Sequence, residues 1–247
     1  MSLTSSEQQT LNRYASYLRD IADKDYISAR HVYSLGLMEN FLWLSLQAVE
    51  KYLKAVLLFN HIPANSFSHE TTAIYKKIVC KTDIDFDLDE GEKKLMDRLE
   101  EGADRYYLQE KFVDFYDLLI LDRLIWKIRR YCQNLNLDAK RKSIHSKTVE
   151  NIQRTQAHIN PQKFHIQGGY LEQILRSPLD EHKRQAHALS YKNPQYGIRR
   201  KKKLKNYRNF LSVSIPPHPN EPEKLELLRK YIRGIPKKKT AAKRQDG

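Results

Sequence analysis

The sequence predicts a mainly α-helical protein: an antiparallel bundle of four to six helices, then a basic, mostly helical C-terminal extension with at most one or two short strands. Three observations carry that prediction. Over the first 137 residues, apolar side chains recur every three or four positions, the period of a helix with one buried face. Short, turn-rich connectors separate these stretches, which favours antiparallel neighbours. The charge is also unevenly placed. Residues 1–137 carry 18 Lys+Arg against 21 Asp+Glu, and residues 138–247 carry 26 against 9, so the two parts stand at −3 and +17. The division read from this is a bundle over 1–137, a basic C-terminal region over 138–235 and a disordered basic tail over 236–247.

Taken in order, Leu11, Tyr14, Leu18 and Ile21 define a first amphipathic helix. Asp25 is placed as the N-cap of a second segment bearing Tyr26, Ala29, Val32, Tyr33 and Leu37, which Gly36 weakens near its end. The strongest helix spans about 38–59. Its apolar residues cover most of the circumference, leaving Asn40, Gln47, Glu50, Lys51 and Lys54 on one stripe, so it is expected at the bundle centre. Ser68 is placed as the cap of a helix reaching Cys80, and Asp89 with Glu92 as a capping box for the next. The last bundle helix is expected over about 112–132, with Leu118, Asp122, Ile125 and Ile128 among its face residues. Beyond it, residues 139–160 read as a solvated helix or linker. Tyr170–Arg176 and 180–191 read as short helices, 210–215 as a strand, and 221–232 as a further helix behind the Asn220/Glu223 capping box.

Composition narrows the chemistry. Cys80 and Cys132 cannot build a disulfide framework and read as buried free thiols in a reducing compartment. No CxxC or paired-His cluster suggests a metal, no P-loop or GxSxG appears, and no cofactor is expected. Residues 1–7 lack a basic n-region and an apolar core, and no apolar run approaches a membrane span. A cytoplasmic protein without a membrane partner is therefore expected.

Four segments together resemble the HEPN family of helical domains. They are Asp25-Tyr26-Ile27-Ser28-Ala29-Arg30, then Leu46-Gln47-Ala48-Val49-Glu50-Lys51-Tyr52-Leu53-Lys54-Ala55, Ser68-His69-Glu70, and Ala103-Asp104-Arg105-Tyr106. Order and spacing both agree over roughly residues 10–135, and the second segment is the most specific. The resemblance implies a compact four- or five-helix bundle, commonly a homodimer, whose relatives bind nucleotides or RNA. Many are metal-independent ribonucleases carrying an Arg followed, after four to six residues, by a His. Here Arg30 is followed directly by His31, and Arg105 has no His in range. Outside the bundle, Arg176 and His182 fit the spacing but are interrupted by Pro178. Arg176, His182 and His69 are the weak catalytic candidates.

Two binding surfaces are expected. Gln47, Glu50, Lys51 and Lys54, joined by Arg30, His69, Arg105 and Tyr106, form a polar wall suited to a nucleotide, with cations for phosphates and an amide for a base edge. The segment Tyr196, Arg199, Arg200, Lys201, Lys202, Lys203, Lys205, Tyr207 and Arg208 combines dense positive charge with flanking aromatics, the pattern that neutralises phosphates and stacks unpaired bases. The leading expectation is a protein that binds RNA, DNA or a nucleotide without cleaving it, as an accessory module beside a nucleotidyltransferase-type or other protein. The alternatives are a metal-independent endoribonuclease of toxin or defence type with a divergent site, and a dimerising structural module that docks on an acidic partner.

Overall fold

The computed structural model describes residues 4–101, 112–136, 147–197 and 211–212. Thr4 opens the first helix with a capping box, its hydroxyl accepting from Glu7 N while the Glu7 carboxylate accepts from Thr4 N. Helix α1 then runs unbroken over Ser5–Ser34. The two segments expected here are one helix, and Asp25 is not a cap: it lies mid-helix and its carboxylate accepts from Lys51 Nζ at 2.6 Å. An isolated Asp between two apolar repeats looks the same as a cap in sequence, and only its partner on another helix separates the two cases. The helix stops at Gly36, whose φ of +76° admits the left-handed turn. The N–H groups of Gly36 and Leu37 close back on the carbonyls of Tyr33 and Val32 in a Schellman arrangement.

Helix α2 (Met38–Phe59) is central, touching α1, α3 (Thr71–Lys81), α4 (Glu90–Glu101) and α5 (Phe115–Arg129). Phe41, Leu46, Val49, Tyr52, Leu53, Val56 and Leu57 are fully buried, as the broad apolar surface of this segment requires. Helix α3 starts at Thr71 without a side-chain cap, so Ser68 does not serve as one. The Asp89/Glu92 box does form. Helix α5 begins three residues later than expected because Phe112–Val113 is a strand, β1, and Asp114 caps the helix in a third capping box with Asp117. Cys132 is buried, but Cys80 is exposed on α3, contrary to the expectation for both thiols.

Packing continues across residue 137. Helices α6 (Thr148–Ala157), α7 (Tyr170–Arg176) and α8 (Asp180–Ser190) follow, and α7 and α8 lie against α1 and each other. Ile152, Leu171, Ile174 and Leu189 join the same apolar core as the first five helices. Trp126, Phe164 and Ile166 form a small adjoining cluster on which Tyr196 packs. The second strand, β2 (Leu211–Ser212), pairs antiparallel with β1, Val113 opposite Leu211. The helix expected over 221–232 and the tail lie outside the described residues.

Charged and hydroxyl groups stitch these parts together inside the protein. Asp23 on α1 is fully buried and accepts from Tyr52 OH at 2.5 Å and from Arg129 Nε and Nη2 at 2.7 and 2.8 Å. Its second oxygen also accepts from Leu171 N. Arg129 reaches on to Glu172 of α7 through Nη1 at 2.7 Å and Nη2 at 2.6 Å, so one guanidinium holds two carboxylates. A parallel set joins Arg30 to Asp122, with Tyr26 OH donating to Asp122 at 2.6 Å. Arg30 also donates to the carbonyls of Ala188 and Tyr191, at the end of α8. Burial first, and then the neighbouring Asp122 or Asp23, raises Tyr26 and Tyr52 well above the ordinary phenol range, so both stay protonated donors.

Arg129→Met leaves Asp23 and Glu172 in the interior without their counter-charge. Urea unfolding should show a loss of about 3–5 kcal/mol. Arg129→Lys should recover only part of it, because an ammonium cannot grip both carboxylates bidentately.

Candidate functional site

The α2 stripe forms as a connected surface. Glu50, although largely buried, accepts from Lys54 Nζ at 2.6 Å and lies 2.8 Å from His69 Nδ1. The imidazole is partly exposed and meets Trp43 edge-on. Lys51 donates to Asp25 and, at 3.1 Å, to Gln47 Oε1. Gln47 Nε2 is buried with no hydrogen-bond partner among the described residues. The structure thus brings Gln47, Glu50, Lys51, Lys54 and His69 together, but Lys51 and Lys54 are each neutralised by an adjacent carboxylate. Arg30 is not on this surface. It is buried and paired with Asp122, which the sequence reading placed among the face residues of the last bundle helix. Arg105 and Tyr106 lie outside the described residues.

The weak catalytic candidates do not form a unit. Arg176, exposed at the end of α7, lines a cleft that His182 does not, and no hydrogen bond or ion pair joins the two. His182 is half-buried against the edge of Tyr170, with its ring 6.4 Å away. His69 belongs to the α2 stripe, remote in sequence from both. Among the described residues, no three His, Cys, Asp or Glu side chains come together as a metal cluster.

Of the basic segment, Tyr196 is described, and residues 199–208 lie outside the described residues. Tyr196 is half-buried, its ring packed near Tyr26 and edge-on to Trp126, 6.5 Å between centroids. Burial holds its phenol above the ordinary range beside Arg129. It is therefore built into the fold, where the sequence offered it as a free stacking ring. Gly197, which follows, is fixed: its N–H donates to Asn193 O at 2.9 Å, and its carbonyl accepts from Gln162 Nε2. A Cβ there would fall 2.4 Å from Asn193 O and 2.6 Å from Ser190 O, so the position requires glycine. Leu211–Ser212, which follows the segment in the sequence, pairs as β2 with β1.

The residues that reasoning from sequence missed are the buried ones. Arg19, Asp23 and Arg129 were not singled out, although Arg19 and Asp23 share one face of α1 with Tyr26 and Arg30, and Arg129 lies two turns beyond Asp122 on α5. Polar residues recurring at core positions were the available signal.

A five-helix antiparallel bundle with a polar stripe on its central helix defines the class of domain. The model of the HEPN domain matches residues 15–133, from α1 to just past α5, in agreement with the motifs that resemble that family, which is linked to RNA-related and nuclease-like functions. No curated protein and no solved structure gives a significant match. No described helix is long and apolar enough to cross a membrane.

Burial pushes the Glu172 carboxyl up, but the Arg129 charge, its two hydrogen bonds and the Ile166 N–H outweigh burial and leave the group below its ordinary 4.5. A depressed folded value gives stability that is present above the unfolded pKa and lost as pH falls through the folded one. Glu172→Gln should cost about 1–3 kcal/mol at neutral pH. Thermal melts taken at decreasing pH should show that gap closing below 4.5. A constant gap would mean that the carboxylate charge contributes nothing.

Proposed function

We propose that this HEPN-domain protein binds single-stranded RNA without cleaving it, through the basic segment 199–208. One observation carries the reading. Residues 198–210 contain seven Lys or Arg and no Asp or Glu, and they run between two points fixed on the fold, Gly197 and Leu211. Several of the bundle's cations stand in contrast. Lys51, Lys54, Arg30, Arg98, Lys127 and Arg129 are each paired with a carboxylate of the same chain. Dense positive charge with no acid beside it in the sequence is what a polyphosphate recruits, so its concentration in one stretch favours a nucleic acid over a small anionic ligand. The HEPN domain supports RNA as the polymer, and the separation of Arg176 from His182 supports binding without a cleavage step. An accessory role beside a nucleotidyltransferase-type partner, and self-association through the bundle, belong to the same proposal.

Titrating the full chain with a fluorescent single-stranded RNA across a salt series tests it. Replacing Arg199, Arg200, Lys201, Lys202 and Lys203 by Gln should flatten the slope of log K against log salt by about 3. An unchanged slope, or no binding at low salt, overturns the reading. Cleavage of the probe in EDTA that His69→Ala or Arg176→Ala abolishes would replace it with the ribonuclease alternative.

A further inference from the structure

Followed backwards from Arg199, the chain leads directly into a cleft of about 320 Å³ beside Gly197. Its walls are mixed in a specific way. Phe164 and Tyr196 supply aromatic surface, and Leu175, 42% exposed, supplies an apolar rim. His165 and Arg176 stand exposed at the edge, and Arg176 forms no ion pair with any described residue. The carboxylate in the wall, Glu172, is already held on both oxygens by Arg129 and by Ile166 N, so it presents no free charge to repel an anion. The Gln162 bond to the Gly197 carbonyl fixes the floor of the cleft to the root of the basic segment.

We infer that this cleft receives one unpaired base of the RNA whose phosphates the basic segment neutralises, with Arg176 on the adjoining phosphate. The inference rests on the RNA-binding reading above and adds to it a site outside the HEPN domain. Aromatic and aliphatic lining suits a base, because every base has a π-face that stacks without regard to sequence. His165 offers a ring nitrogen for a base edge, and single-stranded RNA is read by this combination of stacking and edge contacts. Duplex RNA keeps its bases paired and stacked inside and has none to insert. The distance along the chain is short: Gly197 lines the cleft, and Arg199 is two residues on.

The test compares binding of the full chain to a fluorescent oligoribonucleotide and to the same oligonucleotide with every base removed. The intact strand should bind about tenfold tighter or more, the scale of a single stacked base. Leu175→Trp, which fills the cleft from a partly exposed position, should erase that preference and leave the salt slope unchanged. His165→Ala, which removes no packed side chain, should narrow the preference even if the Trp variant melts early. Equal binding of both strands to the parent protein overturns the base cleft and leaves RNA binding standing, as does a preference that survives both substitutions. Absence of binding by either strand at low salt overturns both.

Discussion

The fold depends on four charges that cannot be left alone. Asp23 and Arg30 lie seven residues apart on α1, and Asp122 and Arg129 lie seven apart on α5, in each case acid first. Seven residues are two helical turns, about 10.5 Å. Because the charges run in the same order along two helices that meet in opposite directions, Asp23 faces Arg129 and Arg30 faces Asp122. A shift of either helix by one residue would carry all four into the interior unpaired. Such buried pairs add little net stability over well-packed apolar residues, but breaking one is expensive. Their contribution is to make one register far better than its neighbours.

The same groups decide what the C-terminal helices do. Arg129 extends to Glu172, Arg30 to the carbonyls at the end of α8, and Arg19 to Gly168 O at 3.1 Å. Each of these arginines belongs to the bundle and is completed by the region after it. The strong charge asymmetry at residue 137 is therefore not a boundary of packing: helices from the basic side supply hydrogen-bond acceptors to the bundle's interior. The densest run of cations, seven Lys or Arg with no Asp or Glu over residues 198–210, follows Gly197 in the sequence, and that composition is why the functional reading falls there and not on the α2 stripe, where lysines and carboxylates cancel.

Much of the architecture was legible because it is local. The apolar circumference of α2 identified the central helix, the Asp89/Glu92 box marked the start of α4, and Pro178 separated α7 from α8. Local signals failed where the deciding partner lies elsewhere in the chain. Asp25 looked like a cap until Lys51 of α2 claimed it, and Arg30 looked like a phosphate ligand until Asp122 did. Tyr196 was read with its sequence neighbours as part of an exposed nucleic-acid surface, while its half-buried ring packs near Tyr26 and Trp126.

By itself, then, the sequence determined the helical class, the central helix, the HEPN motifs and the place of the excess charge, since these follow from periodicity, spacing and composition within short windows. Only the tertiary structure decided which polar residues face inward, that the helices of the basic region belong to the same core as the bundle, and that Gly197 is fixed beside a cleft lined by Phe164 and Tyr196. A charged side chain is written identically in the sequence whether it faces water or a buried counter-charge. The difference is a desolvation energy, and it exists only once the partner, a hundred residues away, has been brought into contact.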